Sequence, residues 1–146
     1  MIEKKIIEKL WEDFAPFADK QFLDEIETNL KTRFWEMYLG CSFLYNNFKL
    51  ELPNIKGGPD LIINYKNTNL WVEAVTPQKG DGEDKLEKPP NMVVVNVPQD
   101  KMILRIQNSI DEKKRNYLGW IDKNVVRENE PFILAINGSE LIFGRT

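Results

Sequence analysis

The chain contains no histidine among its 146 residues. That absence removes Ser-His-Asp and Cys-His nucleophilic machinery and every histidine-containing zinc site. Cysteine occurs once, at Cys41. A single thiol forms neither an internal disulfide nor a thiolate zinc site, and it suits a reducing, cytoplasmic setting. A metal held by this chain therefore needs oxygen ligands, the preference of Mg²⁺, Mn²⁺ and Ca²⁺. No apolar run approaches the ~18 residues of a membrane helix, so no membrane partner is expected. The opening "MIEKKIIEKLWEDF" lacks a continuous apolar stretch and is not read as a signal peptide. Excess positive charge is lacking too. The formal net charge is −3, so a nucleic-acid partner requires a local basic patch.

What is present describes one globular domain over residues 1–146, with 42% apolar and 29% charged residues. An N-terminal helical piece covers 1–18, with Ile2, Ile6, Leu10 and Phe14 on one side, and Pro16 interrupts it. The core runs over 19–146. It opens with one long helix from about Asp19 to Asn46, striped by Phe22, Ile26, Leu30, Phe34, Met37, Cys41 and Leu44. "FKLELP" alternates as a half-exposed strand. "DLIINY" and "LWVEAVTP" read as strands joined by a turn at "KNTN", which makes them antiparallel. Residues 76–91 are polar with several Gly and Pro, as expected of a mobile loop. "MVVVNVP" has strand character. Residues 99–121 have helical spacing, with Ile103, Ile106, Ile110, Tyr117 and Ile121 on the apolar face. "FILAIN" reads as a buried strand, and "GSELIF" as the start of another. The order α-β-β-β-α-β implies an α/β layer arrangement with a mixed sheet flanked by helices. "LIFGRT" stops at a strand, the pattern expected of a piece of a longer chain.

Three carboxylates stand in awkward places. Glu36 lies at the edge of the apolar stripe of the long helix. Asp60 follows Gly57, Gly58 and Pro59 at a strand start. Glu73 sits inside "WVEAV". A hairpin turning near Lys66–Asn69 brings Asp60 and Glu73 together at the ladder's far side, where directly opposed residues lie about 5 Å apart and diagonal ones about 7–8 Å. Two anions at that spacing repel, and a divalent cation such as Mg²⁺, held by one or two carboxylates, removes the conflict. That constellation suits phosphodiester hydrolysis without histidine. Each carboxylate also has a plainer explanation. Asp60 can be a turn residue, Glu73 can face outward at a strand edge, and Glu36 can be paired with Arg33 or Thr32.

Pro59-Asp60, followed on the next strand by Glu73-Ala74-Val75, resembles the PD-(D/E)xK phosphodiesterase superfamily, the restriction-endonuclease-like nucleases. The resemblance covers about residues 20–137. It implies an α-β-β-β-α-β restriction-endonuclease-like core and a Mg²⁺- or Mn²⁺-dependent nuclease acting on nucleic acid, DNA by default. It implies metal ligation by Asp60, Glu73 and the carbonyl of Ala74, with Glu36 as an assisting carboxylate. The motif lysine is replaced by Val75. On helix 99–121, Arg105, Ser109, Lys113 and Tyr117 form one ridge at intervals of four. Lys113 is the expected replacement for the lysine, with Lys56 and Lys79 as alternatives. Arg105, Ser109 and Tyr117 are the expected substrate contacts. The alternative is a non-catalytic nuclease-fold module for binding or regulation. A homodimer or a protein partner fits either reading.

Overall fold

The computed structural model describes residues 2–51, 57–89 and 94–141. In chain order it contains α1 (Ile2–Phe14), a 3₁₀ turn (Ala15–Phe17), α2 (Phe22–Ile26) and α3 (Leu30–Tyr45). There follow β1 (Lys49–Glu51), β2 (Leu61–Tyr65), β3 (Thr68–Val75), α4 (Gln99–Asp122), β4 (Phe132–Ile136) and a 3₁₀ turn (Gly138–Glu140). The four strands form one mixed sheet in the order β1-β2-β3-β4. β1 and β2, and β2 and β3, pair antiparallel, and β4 joins β3 in parallel after α4.

Alternation along the strands explains the layers. Leu50, Leu61, Ile63 and Val72 face a cluster built by Leu10 and Phe14 of α1, Phe22 of α2, and Met37 and Cys41 of α3. Ile62 and Trp71 point the other way, onto Val126, with Tyr117 and Trp120 of α4 and Phe132 of β4 packed around them. The sheet is therefore covered by α1–α3 on one face and by α4 on the other. This is a mixed α/β arrangement flanked by helices. Trp35 ties α3 to the sheet by donating its indole N–H to the carbonyl of Ala135 at 2.8 Å.

The expected long helix 19–46 is broken. The amides of Thr28 and Asn29 both bond to the Glu25 carbonyl, and so does the Thr28 hydroxyl. Side chains that bond locally in this way compete with helix continuation. Asn29 leaves helical geometry at φ −128° and ψ 38°. The break changes the phase of the apolar stripe, and Leu30, expected inside, is 59% exposed.

Further along, the β2–β3 hairpin is tighter than "KNTN" implies. Lys66 and Asn67 alone make the turn, both with positive φ, and Thr68 already pairs with Tyr65. That is the geometry of a two-residue hairpin loop, whose twist matches the strands. Of "MVVVNVP", Val94–Pro98 is irregular and largely exposed, because no strand lies beside it; Met92 and Val93 fall outside the described residues. "FILAIN" forms β4 but is only half-buried, being at the sheet edge. "GSELIF" turns as a 3₁₀ element, since Asn137 Oδ1 accepts from the Ser139 amide, while Ile142 and Phe143 lie outside the described residues. Leu52 and Lys56 lie outside them as well.

Residues 76–89 have no regular structure, yet they are tied down. Leu86 is buried and its amide bonds to the Lys79 carbonyl at 2.9 Å. Lys101 of α4 donates to the Glu83 carbonyl at 3.0 Å, and Arg105 forms an ion pair with Asp84. Gly80, at φ +78°, lies so close to the Arg105 guanidinium that a Cβ there would collide with it. No described helix is long and apolar enough to cross a membrane.

Candidate active site

The site is built at the end of β3 that faces away from the hairpin turn. Leu61 pairs with Val72. One step further along the ladder puts Asp60 opposite Glu73 and Pro59 opposite Ala74. Two hydrogen bonds, from the Trp71 amide to the Pro131 carbonyl and from the Asn137 amide to the Val75 carbonyl, set the alternation of the parallel ladder. Trp71, Glu73 and Val75 turn their backbone groups to β4, so the amide and carbonyl of Ala74 turn towards β2. Directly across stands Pro59, which has no N–H to donate. Asp60 fills half of this gap, its Oδ2 accepting from the Ala74 amide at 2.8 Å. The Pro-Asp pair thus ends the ladder and leaves the Ala74 carbonyl turned towards β2 opposite Pro59, which has no N–H to offer it.

Glu73 is 4% exposed. Its Oε1 accepts from Lys113 Nζ of α4 at 2.7 Å. Its Oε2 is buried with no hydrogen-bond partner among the described residues. Burial and the neighbouring charge of Asp60 push the Glu73 carboxyl up to about 7, against the pull of Lys113. Asp60 is raised as well, chiefly by burial, although the Ala74 amide and Lys113 oppose the shift. Burial opposes the charge on Lys113, but the charge and hydrogen bond of Glu73 together with the charge of Asp60 outweigh that loss of hydration and hold its ammonium above the usual lysine range. Lys113 is therefore a firmly protonated group beside a buried carboxylate.

Glu36 approaches from α3 and is 3% exposed. It accepts from Arg33 at 2.7 Å, the plain i, i+3 partner expected for it. Arg33 also pairs with Glu25 and, at 3.4 Å, with Asp19, while its guanidinium lies over the Phe22 ring. Burial and the charge of Asp60 push Glu36 up to about 8 in spite of Arg33. Three carboxylates thus share a poorly hydrated region with two cations.

Whether these residues fit a metal ion is answered by the donors they leave over. Among the described residues no group of three or more His, Cys, Asp or Glu is placed to hold a metal. The spare donors are instead the orphaned Glu73 Oε2, the second oxygen of Asp60 and the Ala74 carbonyl. Two carboxylates and a carbonyl are hard oxygen ligands, the set Mg²⁺ accepts while keeping several waters. The donor chemistry, two carboxylates and a carbonyl, is of the hard-oxygen kind a divalent cation takes.

The ridge on α4 divides. Arg105, Ser109 and Lys113 line a cavity of about 360 Å³ together with Ala74, Val75 and Thr76. Ser109 Oγ donates back to the Arg105 carbonyl at 3.0 Å. Tyr117 does not line this cavity. Its ring stacks on Phe132 at 4.5 Å, which makes it part of the packing between α4 and the sheet and places it apart from Arg105, Ser109 and Lys113. Sequence reasoning missed Thr76 and Asp84. Thr76 follows β3 at the carboxyl end of a strand, where ligands sit in open α/β sheets, and that placement was the available signal. Asp84 lies in a polar segment without periodicity and had none. No protein-family model matches the chain, and neither does any curated protein or solved structure.

Proposed function

We propose that the chain is a Mg²⁺- or Mn²⁺-dependent nuclease that hydrolyses phosphodiester bonds of nucleic acid, with DNA as the first substrate to test. Its core would be the restriction-endonuclease-like arrangement of PD-(D/E)xK phosphodiesterases, and the order α3-β1-β2-β3-α4-β4 supports that placement. The observation that carries the reading is the 2.7 Å contact of Lys113 with Glu73, on the strand position facing Asp60. A lysine from α4 thereby stands beside the metal-type carboxylate, the place left open by Val75.

A divalent ion held by Asp60, Glu73 and the Ala74 carbonyl would polarise the phosphoryl oxygen and make water a better nucleophile. Asp60 and Glu73 would hold that ion, and the Asp60–Ala74 hydrogen bond keeps the two strand ends in register. Lys113, held protonated, cannot act as a base near neutral pH. It stabilises the negative charge that grows on the phosphoryl oxygens as the water oxygen bonds to phosphorus and the ester P–O bond breaks. The attacking water gives up its proton to solvent, and the displaced alkoxide takes one from solvent. Glu36 acts on this centre through its charge and by holding Arg33, so it is a positioning residue.

One observation favours the second reading, a non-catalytic nuclease-fold module. Lys113 and Arg33 already neutralise Glu73 and Glu36 within the chain. Incubation with supercoiled plasmid and with circular single-stranded DNA separates the two. The expected result is cleavage that requires Mg²⁺ or Mn²⁺ and is lost in Asp60→Ala. Intact DNA, with no shift of Tm by either ion, selects the non-catalytic module.

A further inference from the structure

The stripe of α4 that carries Ser109 continues towards the C-terminus through Asn116, Gly119 and Lys123, at helical spacing. There it borders a second cavity, of about 400 Å³, whose other wall is the Gly57-Gly58 turn. Arg115 lines this cavity too, and no carboxylate does. Arg115, Asn116 and Lys123 are exposed, so their donors are open to a partner. The polar ties of α4 run instead through Lys101, Arg105, Lys113 and Trp120, while the side chains of Arg115, Asn116 and Lys123 have no hydrogen bond or ion pair among the described residues. Glycine keeps the space open. Gly119 stands in the last turns of α4, where glycine weakens a helix relative to alanine. A Cβ there would meet nothing within 4 Å. Packing therefore does not require glycine at 119; its effect is to let a partner approach the backbone. The Gly57 carbonyl accepts from the Trp120 indole at 2.6 Å, which fixes the turn against α4.

We propose that this cavity holds the phosphate backbone of a nucleic-acid strand beside the carboxylate site, through Arg115, Asn116 and Lys123. The nucleic-acid class rests on the phosphodiesterase reading. Position supports it. Gly58 stands two residues before Asp60, a reach of at most ~7 Å, so the cavity adjoins the carboxylates. Charge supports it as well. With a net charge of −3, the chain holds a polyanion through a local concentration of cations, and this cavity has two cations and no acid. Guanidinium, ammonium and amide donors suit phosphate oxygens. The negative end of α4 does not cancel them, because the carbonyls of Gly119, Trp120 and Ile121 accept from the amides of Lys123, Val125 and Asn124. About two turns of helix separate Arg115 from Lys123, roughly 12 Å along the axis. That spacing suits successive phosphates of one strand better than a single phosphate ion. Phosphate contacts carry no sequence information, so this part of the binding is independent of base sequence.

The test is fluorescence anisotropy of labelled single-stranded and duplex oligonucleotides with the whole chain in EDTA, across a range of NaCl. Binding that weakens as salt rises is expected. Arg115→Gln and Lys123→Gln should each weaken it about fivefold at low salt, the upper end for an exposed ion pair. Each phosphate contact contributes about 0.9 to the slope of log K against log[salt] on a duplex, so the double variant should lower that slope by about 2. Lys114→Gln removes an exposed cation of α4 that does not line the cavity, and should change neither quantity. Gly119→Gln fills the cavity with a good helix former, so it should keep or raise Tm while weakening binding by a similar factor. That variant separates the cavity from a folding defect. Inorganic phosphate should displace the strand no better than sulfate at equal ionic strength. Absent binding, equal binding by wild type and the double variant, equal losses in Lys114→Gln and Lys123→Gln, or specific displacement by phosphate overturns the proposal. A chain that binds DNA through Arg115 and Lys123 but cuts none keeps the cavity and refutes the nuclease. A chain that cuts DNA with KM unchanged in both variants keeps the nuclease and refutes the cavity.

Discussion

Raising the pH should destabilise the metal-free protein, and a divalent ion should reverse the effect. Glu73 titrates near 4.5 in the unfolded chain and at about 7 when folded, because burial and Asp60 disfavour its anion. Between those values the folded state binds more protons than the unfolded state, so stability falls as pH rises. It is fully present below about 4.5 and lost once pH passes about 7. Each tenfold difference in proton affinity between the two states is worth ~1.4 kcal/mol, so Glu73 alone removes about 3 kcal/mol. Glu36, raised to about 8, acts in the same direction. At this chain length 3 kcal/mol corresponds to a fall in Tm of roughly 10 °C between pH 5 and pH 8. A divalent ion at a hundredfold excess over its Kd returns about 2.7 kcal/mol, but only where the carboxylates are ionised. Mg²⁺ or Mn²⁺ should therefore raise Tm strongly at pH 8 and hardly at pH 5. Thermal melts at several pH values, with and without Mg²⁺, measure this directly. Glu73→Gln should reduce the pH dependence to the share of Glu36 and abolish most of the Mg²⁺ response. A metal-free Tm that is constant or rises from pH 5 to pH 8 would refute the electrostatic account of the site.

Two substitutions probe other links in the structure. Lys113→Met should lower kcat about 10²–10³-fold with Mg²⁺ binding retained, the usual loss when one donor to a transition-state oxyanion is removed. Adding Val75→Lys should recover part of that rate, because residue 75 lies on the same strand face as Glu73 and lines the same cavity as Lys113; no recovery would show that the α4 position itself matters. In the core, Gly40→Ala would place a Cβ 2.5 Å from the fully buried Phe14 ring. The overpacking should cost about 1–3 kcal/mol, read as a lower Tm, while cleavage of DNA at low temperature stays unchanged.

Local chemistry decides which parts are legible in the sequence. The β2–β3 hairpin is readable because alternation and an Asn at the turn act over adjacent residues, and the opposition of Asp60 and Glu73 follows from it. Helix α4 is readable from its spacing, and three of the four ridge residues on it do face one cavity. The failures have a common cause. Leu30 reads as inward when the stripe is extended through Thr28 and Asn29, whose competing hydrogen bonds leave no trace in apolar periodicity. Val94–Pro98 has the composition of a strand, yet a strand exists only where another offers a ladder, and that depends on the whole sheet. Tyr117 leaves the ridge because Phe132, distant in sequence, stacks on it. Contacts made across long sequence separations, Arg105 with Asp84 among them, carry no local signature.

In the proposed function the catalytic lysine stands on a helix and not on a strand, and that placement changes what the site depends on. A lysine at residue 75 would be fixed by the hydrogen bonds of the β3–β4 ladder. Lys113 is instead fixed by the seating of α4, and no residue of α4 is buried. The seat consists of Tyr117 and Trp120 against Phe132, the Trp120 indole bonded to the Gly57 carbonyl at 2.6 Å, and the polar ties of Lys101, Arg105 and Lys113. Segments with few buried apolar contacts open at lower free energy than the core. When α4 lifts, Lys113 leaves Glu73 and Arg105 leaves the cavity together, while the sheet keeps Asp60, Glu73 and the Ala74 carbonyl in place. In the proposed function, metal binding and charge stabilisation would therefore belong to parts of the fold with different stability.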